Sequence, residues 1–227
     1  MTAGESQPKD FPRRLGGEIP GLLAHDDVPE GVAFVASLVP PKVLMDESAL
    51  KAYIVSEDFS QARQRYGDLY AVDVLFDRAL SLSWGNRYEA LLIAFTATMD
   101  HRSFGIRLPL LGPLLWLPLT SEFPDEFRRR RDALPVMLYT DTPPGRYGDG
   151  DKLQHFFGSA FIAFLLESAE AAERVGDFVE WGEDKFVVDG ALDSRDIRAN
   201  RQGERFGLAL LADPAARPSV SMMKENL

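Results

Sequence analysis

The chain has no cysteine, which excludes disulfides, thiolate metal centres and cysteine nucleophiles. Histidine is scarce as well. There are three in 227 residues, so any imidazole chemistry must rest on His25, His101 or His155. No uninterrupted apolar run approaches the roughly 20 residues that cross a bilayer. The opening stretch, MTAGESQPKDFPRRLGGEIPG, carries neither an apolar segment of signal-peptide length nor a lipobox cysteine. The expected compartment is therefore the cytoplasm, with peripheral contact at the inner membrane as the alternative. GxGxxG, P-loop, HExxH, EF-hand and G-x-S-x-G patterns are all absent from the sequence. It therefore holds no ready-made phosphate cradle, zinc helix, calcium loop or nucleophile elbow. Positive charge is also short: 25 Lys and Arg against 35 Asp and Glu give a net charge of −10. Nucleic acid, whose phosphates demand a concentrated basic surface, is not the expected partner.

What the chain does have is enough apolar residue for a core, 45% against 26% charged. Residues 1–30, rich in Pro, Gly and charge, predict an extended arm. GVAFVASLVPP (31–41) is β-branched and apolar, and it predicts a short strand ended by Pro40 and Pro41. Asp46 and Glu47 then open a helical segment. Between Phe59 and Met99 the periodicity is plainest. Leu69, Val72, Leu75, Phe76, Ala79 and Leu80 recur at helical spacing, WGN (84–86) interrupts, and Asn86 with Glu89 forms a capping pair for a second, nearly all-apolar helix. That second helix is expected to be central.

The segment 101–124 carries prolines at 109, 113, 118 and 124, so it predicts an extended apolar path rather than a helix. It packs across the helical body or, with Leu115 and Trp116 as contacts, docks on a membrane surface or protein partner. EFPDEFRRRRDALP places acids before bases, as a helix dipole favours, and Arg128–Arg131 predict a solvated helix end. His101, just past a helix, predicts a C-terminal cap. Trp84, Trp116 and Trp181 are expected as core or interface aromatics. YTDTPPGRYGDGD (139–151) predicts a turn-rich linker. The whole predicts a mainly α, single helical domain over 31–212 with extended Pro-rich segments and one or two short strands. A loose tail follows at 213–227.

The unusual chemistry lies in GDGDKLQHFFGSAFIAFLLES, where Asp151, His155 and Ser159 share one face of an apolar helix with Asp149 or Asp151 as its N-cap. Downstream, Glu180 and Asp184 are one turn apart. So are Asp196 and Asn200, in DSRDIRANRQGERFG. The D-K-x-x-H opening (Asp151, Lys152, His155), the later Glu180 and the closing D-x-x-A-N-x-x-G-x-x-x-G (Asp196, Ala199, Asn200, Gly203, Gly207) resemble the VanZ-like superfamily. That group is envelope-associated and includes small lipoproteins of unknown function. The resemblance covers residues 149–212 and implies architecture more than reaction. VanZ-like proteins embed these helices in the membrane. Here the apolar stretch stops at Glu167, and the last helix carries Arg198, Arg201, Glu204 and Arg205. The resemblance thus implies the motif moved into a non-spanning helical protein.

Three helices each offering a polar pair would meet in a buried cluster. One reading is a structural network: Asp151 and Asp196 as caps, His155 and Asn200 bonded across helices, and Gly203 with Gly207 allowing close approach. The network needs no cofactor and suits a non-catalytic structural or adaptor protein with a protein partner. A second is a divalent-cation site made by Asp151, His155, Glu180 and Asp184. The third is metal-assisted hydrolysis, with His155 as general base among Asp151, Glu180 and Asp196.

Overall fold

The computed structural model describes residues 31, 42–108, 112–118, 120–145, 148–168 and 194–223, with the backbone alone described at 104–108 and 112–118. The proposed strand at 31–41 lies outside them except for residue 31. The fold is mainly α, with eight helices and one hairpin among the described residues.

Helix α1 (Lys42–Ile54) starts four residues before Asp46, earlier than the acids suggest. The Lys42 ammonium bonds Asp46 at 2.7 Å and the Glu89 carboxylate at 2.8 Å, which fixes that first turn in tertiary space. Helix α2 (Glu57–Tyr66) is capped by the Ser56 hydroxyl, which accepts from the Phe59 N–H. Helices α3 (Asp68–Leu82) and α4 (Arg87–Thr98) form an antiparallel hairpin. Its turn needs left-handed backbone at Trp84 and Gly85, with φ of 55° and 83°. The Asn86 side chain then accepts from Glu89 N–H at 3.1 Å, the capping contact expected from the sequence. As expected, α4 is central: Ala90, Leu91, Ile93, Ala94 and Ala97 are all fully buried.

Backbone from β1 (Ser103–Leu108) and β2 (Gly112–Pro118) forms an antiparallel hairpin, pairing Gly105 with Trp116 and Ile106 with Leu115. The Pro-rich segment is therefore paired rather than singly extended. Pro113 and Pro118 are tolerated because, among the described residues, each strand pairs on one side alone. Helix α5 (Pro124–Ala133) opens with proline in its first turn, and Glu126 accepts from the Phe123 N–H at 3.0 Å.

Its basic run is not simply a solvated end. Arg130 is 1% exposed. Its guanidinium donates to the Ala97 and Met99 carbonyls at the end of α4 and to Glu122 at 2.8 Å. Arg130 thus takes the capping role expected of His101, which is exposed. Trp84 is likewise half exposed rather than core, with the Lys42 ammonium 4.6 Å above its ring.

Among the described residues, helices α6 (Lys152–Leu166) and α7 (Ser194–Ala212) make the most extensive contact. Lys152 meets Asp196, and Phe156 and Ala160 meet Gly203 and Gly207, so early residues face early residues and the pair is parallel. Helix α4 runs antiparallel to α6: Asp100, just past its end, meets Gln154, while Tyr88, near its start, packs on Phe164. Rings of Phe76, Phe156, Phe157 and Phe206 stack at this junction. Each such fully buried ring contributes about 1.5–3 kcal/mol. Among the described residues no helix is long and apolar enough to cross a membrane.

As far as residue 223, the segment expected as a loose tail is folded. Residues Pro218–Met223 form helix α8, with Pro218, Ser219, Ser221 and Met222 buried. Asp73 of α3 holds it, accepting from the Ser219 N–H at 2.8 Å and its hydroxyl at 2.6 Å.

Candidate functional site

The polar groups of α6 and α7 converge because Gly203 and Gly207 let the backbones touch. A Cβ on either glycine would sit under 3.0 Å from a carbonyl oxygen, of Phe156 or of Ala160. Above that contact, Ser159 donates to the Asn200 side-chain oxygen at 3.0 Å. At the helix starts, the Lys152 ammonium is 2% exposed. It bonds Asp196 at 2.6 Å and Asp151 at 2.7 Å. His155 Nε2 lies 3.4 Å from the same Asp196 oxygen. Asp151, His155, Ser159, Asp196 and Asn200 are thus brought to one junction. Glu180 and Asp184, the third expected pair, lie outside the described residues. The side chains of Leu115 and Trp116 are likewise outside them.

Two expected roles change. Asp151 has helical backbone (φ −67°, ψ −25°) and makes no capping bond, because its carboxylate turns to Lys152. Asp196 is the third residue of α7, inside its first turn, and answers the same ammonium. Parallel packing sets two positive helix ends side by side, and carboxylates in these turns offset them.

Asp149 does not cap α6 either. Fully buried, it accepts from the Leu138 and Tyr139 N–H groups and from the Thr142 hydroxyl, and its carboxylate forms an ion pair with Arg195 of α7. The stretch expected as a linker is therefore clamped at its end. Gly148, at φ 43°, packs where a Cβ would strike the Val136 carbonyl. Tyr139 closes the loop over α7: its hydroxyl donates to Gln202 at 2.6 Å, and the Arg198 guanidinium lies 4.2 Å over its ring. Burial pushes the Tyr139 phenol up to about 12, despite the opposing charges of Arg198, Arg195 and Lys152. Asp100, beside the start of α6, has its carboxyl pushed up by burial; Asp151 adds to that shift, and His101 and Arg131 oppose it.

Lys152 was readable in advance. It is the lone charge on the stripe Lys152, Phe156, Ala160, Ala163 that faces the core, and a cation there demands buried anions. Arg195 and Gln202 had no such signal, since their partners are far away in sequence.

Chemically, the ammonium stands where a divalent cation between Asp151 and Asp196 would sit. Among the described residues no group of three His, Asp or Glu side chains is placed to hold a metal ion. The Ser159 hydroxyl donates to Asn200 rather than to His155. No family model, curated protein or solved structure matches the chain.

Proposed function

We propose that this chain is a non-catalytic structural or adaptor protein in which the α6–α7 junction is a fixed polar register. The observation that carries the reading is the Lys152 ammonium, buried between Asp151 and Asp196. Three groups that would ligate or activate something are instead answering one another. A buried ion set of this kind specifies which helices pair and in which register. The VanZ-like spacing enters as a helix-joining pattern, used in a chain held in the cytoplasm or at the inner-membrane periphery. The working surface is the Pro-rich hairpin, with Leu115 and Trp116 contacting a protein of a membrane-associated complex.

The test compares purified wild type with His155→Ala and Lys152→Ala for bound metal and thermal stability. Metal-free wild type and a lowered melting temperature in Lys152→Ala support the register. Stoichiometric metal, released in His155→Ala without loss of stability, would replace this reading with the metal-assisted hydrolase. Leu115→Asp and Trp116→Ala test the docking surface: an unchanged partner pull-down removes the hairpin from it.

A further inference from the structure

We infer that the segment 217–223 is a strap that opens and closes on the α3–α7 surface, and that Gln202 relays its state to the Tyr139 loop beside the polar junction. This goes beyond the register reading and does not depend on it.

The strap is held by polar contacts to α3 and α7 and by two buried apolar side chains, of which Met222 reaches the core. Helix α8 has six residues, too few to be stable alone. Of its apolar side chains only Pro218 and Met222 are buried, whereas Val220 and Met223 are 47% and 49% exposed. Asp73 supplies the latch through both Ser219 bonds, and Asp77 pairs with Arg217. When the strap lifts, these groups regain water, so each bond resists opening only weakly. A six-residue unit that buries only two apolar side chains opens below global unfolding. The hinge is already built. Asp213 stays on α7 through its N–H to the Ala209 carbonyl at 2.8 Å. It also accepts from Ala215 and Ala216 in the turn.

The relay is one side chain long. The Gln202 amide donates to the Met222 carbonyl at 2.7 Å, and its oxygen accepts the Tyr139 hydroxyl at 2.6 Å. Tyr139 belongs to the loop that Asp149 clamps, and Asp149 pairs with Arg195 one residue before Asp196. Lifting α8 frees one end of Gln202 and with it the tyrosine's anchor. The same motion uncovers α3–α7 surface around Asp73 and Asp77.

Hydrogen exchange of the intact chain tests this. In wild type, the 220–223 amides are expected to exchange faster than those of α4 and α6. Asp73→Ala, which leaves the Ser219 N–H without its acceptor, is expected to speed them about tenfold. Amides of 138–142 should accelerate with them, while α4 and α6 stay unchanged. Should Asp73→Ala not fold, Ser219→Ala removes one latch bond without touching a buried charge and is read the same way. Strap amides that exchange only at the core's rate in every folded protein overturn the strap. Acceleration at 220–223 with none at 138–142 overturns the relay.

Discussion

Gly203 of α7 lies against the carbonyl oxygen of Phe156 in α6, with no room for a Cβ between them. The obstacle is backbone, which cannot step aside. Gly203→Ala is expected to cost about 3 kcal/mol, read as a lowered urea midpoint. Gly158→Ala is the control. There a Cβ would meet the edge of the Phe95 ring at 3.1 Å, a side chain that can shift, and helix propensity offsets the crowding. Equal losses in the two variants would mean that close helix approach is not what Gly203 provides.

Lys152 is the next prediction. Replacing it by Met strands Asp196, with Asp151 partly relieved by water at 36% exposure. We expect a loss of about 2–3 kcal/mol. Adding Asp196→Asn to that variant should recover part of the loss. A double-mutant cycle with no coupling energy would contradict the bonding drawn here.

Arg130 closes α4 onto α5 through a planar fork, reaching Glu122 with two nitrogens and the Ala97 and Met99 carbonyls besides. Lysine keeps the charge and loses the fork. Arg130→Lys should therefore destabilise nearly as much as Arg130→Met, by about 2 kcal/mol or more. Thermal melts decide it: a lysine variant as stable as wild type would show that charge alone suffices.

Stability should depend on pH with two opposite signs. Burial works upward on Glu122, but Arg130, Lys51 and Thr120 together bring its carboxyl below the ordinary 4.5. Its contribution is complete above 4.5 and fades as pH falls through the lowered value. Asp68, brought below 3.8 against its burial by Arg63 and the Val136 and Met137 N–H groups, behaves alike. Asp73 is the reverse. Burial pushes it above 3.8 despite Ser219, so its contribution is fullest below 3.8 and is lost as pH rises through the raised value. Urea midpoints across pH 3 to 7, taken as a rough working range, should lose part of their acid-side fall in Glu122→Gln, with the Asp68 share remaining. Asp73→Asn should lose part of the opposite slope, since Asp100 is raised as well. An unaltered profile in both would break the assignment.

Removal of metal supplies the last check. Chelator treatment should leave the melting temperature unchanged if the register reading holds. A drop of several degrees, restored by one divalent cation, would count for the carboxylate–imidazole site instead.

By itself the sequence determined the elements whose cause is local. The repeat from Leu69 to Leu80 made α3, and Asn86 with Glu89 started α4. Pro124 opened α5, and the glycine stripe of α7 announced a close helix contact. Each depends on residues within a turn or two of one another, where periodicity and capping act. Tertiary structure alone decided the rest. It turned Asp151 and Asp196 from caps into partners of Lys152, buried Arg130, folded the 218–223 helix onto Asp73, and joined Tyr139 to Met222 through Gln202. Apart from Asp151, which adjoins Lys152, these partners are separated by as many as 146 residues. Which distant donor a buried carboxylate meets follows from the direction in which helices pack. Here the parallel run of α6 and α7, brought close at two glycines, made that choice.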